Sequence, residues 1–286
     1  MVTTESPWSA EAHDRALEGL AARENFPVAT RLLPARHRAA LRAVYGFARL
    51  VDDIGDEAPR DQRAGLLDSV DDDLDRIYRG ATPRMPQLQR LAGTVRARGI
   101  PEEPFRRLVR ANRQDQVVHR YGTFEELLEY CTLSADPVGR MVLHVFGAVE
   151  PELLGPSDRV CTALQIIEHC QDVGEDFRNG RIYLPAEDLR RFGCAEDDLS
   201  RAVTPTRLRG VLALEAGRAR ELLDRGAAPL IAGLRGWARL AVAGYVAGGR
   251  AALAALVHGR YDVLACPPRP GRAALLAGWA RALGRG

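Results

Sequence analysis

The chain has no lysine: its 40 basic side chains are all arginine. That absence excludes Schiff-base and lysine-nucleophile chemistry and removes the lysine of a phosphate-binding loop. Cysteine is sparse as well. Cys131, Cys161, Cys170, Cys194 and Cys266 are odd in number, scattered and without a CxxC pair. They indicate neither a disulfide framework nor a zinc knuckle, and they fit a reducing, cytoplasmic setting. There is no HExxH, no Glu-x-x-His pair and no GxGxxG loop, which argues in turn against a zincin, a di-iron bundle and a dinucleotide-binding enzyme.

An excess of charge of one sign is also missing. Forty basic and 38 acidic side chains leave +2, too little for the field of a nucleic-acid binder, so no nucleic-acid partner is expected. Long hydrophobic runs are absent too. The longest uncharged apolar stretch, Leu240 to Gly249, falls well short of the roughly 18 to 20 residues of a membrane span. Met1 to Arg15 is polar and lacks the apolar core of a secretory signal.

What remains, 286 residues at 46% hydrophobic and rich in Leu and Ala, favours helix over sheet. Apolar residues recur at helical spacing over 35–54, 66–77, 105–118, 124–149, 163–177, 208–223 and 229–257. The punctuation agrees: Pro34 opens a helix, Thr123 with Glu126 forms a capping-box pattern, Asp136-Pro137 interrupts a helix, and Pro185 follows a short extended stretch. No Ser/Gly linker divides these segments. An all-α, single-domain fold is expected.

Two helices carry narrow polar stripes. Tyr45, Arg49, Asp52 and Asp56 fall at steps of four, three and four, and Gln165, Glu168, Asp172 and Asp176 at three, four and four, each set between apolar neighbours. A solvated helix shows a broad charged face, so a narrow stripe points into a cavity. Two carboxylate stripes facing each other in a low-dielectric interior repel, and a cation must lie between them. Magnesium takes oxygen ligands and completes its shell with water and phosphate oxygens. His169 directly follows Glu168, points elsewhere on the helix, and is assigned to packing or to an outer partner of a ligand rather than to a ligand. Arg49 and Arg181 suit diphosphate oxygens, although arginine is abundant here.

Asp52-Asp53-Ile54-Gly55-Asp56-Glu57 preceded by Tyr45-Gly46-Phe47-Ala48-Arg49, and Gln165 through Asp172-Val173-Gly174-Glu175-Asp176 into Gly180-Arg181-Ile182-Tyr183-Leu184-Pro185, resemble the two aspartate-rich motifs of the squalene and phytoene synthases. Tyr121, Leu127, Tyr130-Cys131 and Pro137-Val138-Gly139 are similar to that family's central helix. Glu24-Asn25-Phe26-Pro27-Val28-Ala29, Gly248-Gly249-Arg250-Ala251 and Tyr261-Asp262-Val263 resemble its hydroxysqualene synthase branch. Glu168 stands where condensing members place Asn, and Gln171 where many have Arg.

The resemblance implies an N-terminal segment 1–24, an isoprenoid synthase bundle 25–265 around a central cavity, and a basic tail 266–286. It implies two or three magnesium ions, or manganese, held by Asp52, Asp56, Glu168, Asp172 and Asp176, with Tyr45 and Tyr130 as further catalytic residues. Arg49, Arg181, Phe26, Gln165, Asp115 and Tyr183 would bind the substrate, an isoprenoid diphosphate. The favoured reaction turns presqualene diphosphate into hydroxysqualene without NADPH. Its pathway partners would be a presqualene diphosphate synthase and a squalene-forming oxidoreductase. Head-to-head prenyl condensation and a non-catalytic assembly factor are the rivals. The tail is read as a solvated helix or a peripheral membrane contact.

Overall fold

The computed structural model describes residues 32–271, 275 and 277–280; Phe26 and its motif lie outside them. Among the described residues there is no strand, only one isolated parallel bridge between Arg120 and Ile182. The helices are α1 (Ala35–Asp56), α2 (Arg60–Tyr78), α3 (Pro86–Arg98), α4 (Glu102–Gln114), α5 (Phe124–Ser134) and α6 (Asp136–Phe146). They continue as α7 (Pro151–Gln171), α8 (Val173–Arg178), α9 (Ala186–Arg191), α10 (Thr206–Gly233) and α11 (Gly236–His258), with a 3₁₀ turn at Glu196–Ser200.

Local chemistry explains most boundaries. Pro34 caps α1, and Thr123 Oγ1 caps α5 by accepting from the Glu126 N–H at 3.2 Å. The Glu126 carboxylate reaches back one residue further than a capping box requires, accepting from Gly122 N–H at 2.6 Å. Asp136-Pro137 splits α5 from α6, as its sequence predicts. Pro229 does not open a helix. It lies inside α10, and the break before α11 falls at Leu234 and Arg235.

The core forms two apolar clusters. One is built on α1, α2, α3 and α4, with Phe47 edge-on to Phe105 at a centroid distance of 4.9 Å. The other gathers α5, α7, α10 and α11. Phe146 and Tyr245 pack against both. By length and composition α11 would suffice to cross a bilayer, yet most of its apolar stretch is buried inside the bundle, which is the ordinary reason for an all-round apolar helix. Trp279 anchors the tail to it, its indole N–H donating to the Leu240 carbonyl at 2.9 Å.

Candidate active site

Both polar stripes face one cavity of about 410 Å³, within the range of small-molecule sites. From α1 it receives Leu41, Val44, Tyr45, Arg49, Asp52 and Asp56; from α7 it receives Ser157, Cys161, Gln165, Glu168 and His169. Asp172, Asp176 and Arg181 complete the acidic end. Arg181 Nη1 lies 2.6 Å from Asp56 Oδ1, which brings the C-terminal ends of α1 and α7–α8 together. Asp52 and Asp56 meet the negative pole at the C-terminal end of α1, whereas Asp172 and Asp176 stand at the start of α8. On the α1 side the arrangement therefore calls for positive charge more strongly than carboxylate repulsion alone.

The titration of the acids reflects that demand. Asp52 lines the cavity, and desolvation by the surrounding walls pushes its carboxyl up to about 7 against the pull of Asn112 and Arg49. Desolvation, then the neighbouring Asp172, push Asp176 up to about 8, with Arg181 pulling back. These five acids offer only carboxylate oxygens, a set that fits magnesium or manganese better than zinc. Among the described residues no three Asp, Glu, His or Cys side chains cluster tightly enough to hold an ion alone. Magnesium characteristically draws its other ligands from water and substrate phosphate.

Beside the acids stands an aromatic wall. Asp115 accepts from the hydroxyls of Tyr130 at 2.7 Å and Tyr183 at 3.1 Å. Burial raises its carboxyl to about 6 in spite of both bonds. The Tyr183 ring stacks on His169 at 3.9 Å and on Tyr121 at 5.8 Å. His169 is buried and stacked on Tyr183, as expected of a packing residue or an outer partner of a ligand, although it borders the same cavity as Glu168. Burial, then the Arg181 charge, lower it to about 3 and leave it neutral. Arg120 pairs instead with Glu196 and the Gly180 carbonyl, outside the cavity, and so holds the loop that carries Arg181.

Every candidate within the described residues lines this cavity: Tyr45, Arg49, Asp52, Asp56, Asp115, Tyr130, Gln165, Glu168, Asp172, Asp176, Arg181 and Tyr183. Sequence reasoning missed Asn112. Its amide donates to Asp52 Oδ1 at 3.2 Å from α4. A signal existed, since Asn112 and Asp115 are polar residues on the same face as Leu108 and Ala111. The close approach needs Gly55, where a Cβ would fall 2.3 Å from Asn112 Oδ1.

Known proteins share this helical architecture. Residues 21–279 match the squalene/phytoene synthase family. A hydroxysqualene synthase from Sinorhizobium fredii is 36% identical over 72% of this chain and 70% of its own. A phytoene synthase from Arthrospira platensis is 34% identical, covering 72% of each. Among solved structures, the squalene synthase HpnC from Alicyclobacillus acidocaldarius superposes with a TM-score of 0.75 at 39% identity, over 87% of this chain and 95% of that one. A match spanning almost the whole sequence, together with relatives of this identity and coverage, establishes that the chain belongs to the squalene/phytoene synthase family.

Proposed function

We propose that the protein ionises presqualene diphosphate and delivers hydroxysqualene, in a magnesium-dependent reaction. One observation carries the reading: the cavity is acidic at one end and apolar below it. Leu41 lies eleven residues before Asp52 on α1, and Ser157 eleven before Glu168 on α7, all four on the cavity wall. At 1.5 Å per residue that depth is about 16 Å, enough to bury isoprenoid arms while their diphosphate stays among the charges. The hydroxysqualene synthase relatives support the choice of reaction.

In this reading Asp52, Asp56, Glu168, Asp172 and Asp176 hold the ions. Bound magnesium would neutralise the charge that develops on the diphosphate as its C–O bond breaks. Arg49 and Arg181 donate to the remaining diphosphate oxygens, and Gln165 and Tyr183 border the same end. Tyr45 and Tyr130 present ring faces that stabilise a cation without attacking it. Asp115 accepts the Tyr130 and Tyr183 hydroxyl protons and so orients both rings beside the substrate, without itself touching the diphosphate, which its charge would repel. From its sequence motif alone, Phe26 is proposed as a further substrate contact. Water captures the rearranged cation, and its proton ends on the released diphosphate.

The catalytic unit is taken as 25–265, working in the cytoplasm between a presqualene diphosphate synthase and a squalene-forming oxidoreductase. Incubation with presqualene diphosphate and magnesium, followed by mass spectrometry, should yield hydroxysqualene and diphosphate; no consumption would refute the reading. The phytoene synthase similarity favours a second possibility, head-to-head condensation of two prenyl diphosphates. Consumption of farnesyl or geranylgeranyl diphosphate alone would select it. Retention of both aspartate pairs on the cavity wall speaks against a non-catalytic assembly factor.

A further inference from the structure

The turn after α11 holds two consecutive non-glycine residues in the left-handed region, Arg260 at φ 51° and Tyr261 at φ 56°. Side chains resist that conformation, and it persists only where the surroundings impose it. Here they do. Arg209 of α10 donates to the Arg260 carbonyl at 2.7 Å and pairs with Asp262 at 2.9 Å. Thr204 Oγ1 accepts from the N–H groups of Val263 and Leu264, each at 3.0 Å, and Thr204 N–H donates to Asp262 Oδ1 at 3.2 Å. Residues 259–268 thus form a strap whose course is fixed by α10 and the loop before it.

The strap crosses the junction between α7 and α8, where the helix breaks at Asp172 (φ −99°, ψ 11°). On the α7 side Gln171, the last helical residue and only 4% exposed, donates its side-chain amide to the Pro268 carbonyl at 2.7 Å. On the α8 side Leu264 lies over Gly174, where an added Cβ would come within 3.2 Å of Leu264 Cδ2. Gln171 precedes Asp172, and Gly174 lies between Asp172 and Asp176; neither belongs to the cavity wall. A broken helix does not fix its own bend through continuous backbone hydrogen bonds. The groups packed on the break do.

We propose that Gln171 and Leu264 are positioning residues: through them the strap sets the bend between α7 and α8, and with it the placement of Asp172 and Asp176 relative to Glu168. The proposal rests on the reading of these carboxylates as ion-holding groups. It also gives Gln171 a task in this chain that does not involve touching diphosphate. Loss of an outer partner of a metal ligand lowers metal affinity by about tenfold or more while leaving the ligand itself in place.

The test uses the full chain carrying Gln171→Ala, Leu264→Ala or the conservative Leu264→Met. Each alanine variant should raise the magnesium concentration for half-maximal turnover about tenfold. Turnover at saturating magnesium should stay within about twofold of wild type, and Leu264→Met should restore the magnesium requirement. Amide hydrogen exchange without metal or substrate should accelerate over 173–178 in the alanine variants while α10 keeps its protection. Unchanged exchange over 173–178 in the folded variants overturns the proposal. A wild-type enzyme indifferent to divalent ions overturns the ion-holding reading instead, and the exchange result still decides whether the strap fixes the bend. If Gln171→Ala does not fold, Gln171→Met removes the donor at nearly constant volume.

Discussion

Arg181 Nη1 and Asp56 Oδ1 lie 2.6 Å apart although 125 residues separate them in sequence. This ion pair closes the acidic end of the cavity, and the same guanidinium holds down the pKa of both Asp115 and Asp176. Arg181→Ala should lower turnover about 10²- to 10³-fold, the scale of losing one preorganised charge. Arg181→Lys should recover only part, because an ammonium lacks the planar fork. Without Arg181 those two carboxyls rise further, so the loss of thermal midpoint should be larger at about pH 8, where they must ionise, than at about pH 5. Equal losses at both pH values would contradict the electrostatic account.

Asp52→Asn and Asp172→Asn keep side-chain volume and remove charge. Turnover of presqualene diphosphate should fall by about 10²-fold or more. The thermal midpoint should hold or rise, since like-charge repulsion is relieved. Chelation of the wild type by EDTA should produce the same loss, reversible by added magnesium. Full activity in either variant, or in EDTA, removes the metal from the reaction.

Gly55→Ala tests the support of Asp52 from behind. The new methyl must displace the Asn112 amide, whose oxygen lies 2.3 Å from its position, and Asp52 then loses a donor. The magnesium requirement should rise about tenfold, as for other outer partners of metal ligands. Glycine to alanine within a helix would otherwise stabilise by about 1 kcal/mol. An unchanged magnesium requirement with a raised thermal midpoint would show that Asn112 does not position Asp52.

Glu215 on α10 shares Arg218 with Asp188, at 2.7 Å and 2.6 Å. Burial outweighs the guanidinium and pushes Glu215 from its usual 4.5 up to about 8. A carboxyl that holds its proton more tightly when folded contributes stability that is complete below about pH 4.5 and is lost as pH climbs through 8. Glu215→Gln removes that titration, so its thermal midpoint should gain on wild type between about pH 5 and pH 8. Parallel curves would show that Arg218 keeps Glu215 ionised after all.

The stripes on α1 and α7 were legible because helical spacing exposes a polar residue that recurs on an apolar face. The short helices α3 and α9 were not. The apolar positions of α3, Leu88, Leu91, Ala92 and Val95, are spread among arginines in thirteen residues. The start of α7 was hidden by Gly155 and Pro156, which read as breakers yet lie within the helix. His169 was expected to point elsewhere than Glu168 because one residue turns a helix by about 100°. The cavity wall is wide enough to take both it and Glu168. Asn112 acts on Asp52 across sixty residues, a pairing that no local spacing reveals.

Phe146 and Tyr245 touch both apolar clusters, and Tyr245 also lines the cavity. The seam between the two halves of the bundle is therefore also its reaction chamber. On the proposed function, an isoprenoid seated there would touch both clusters at once, so that filling the chamber should also stabilise the fold.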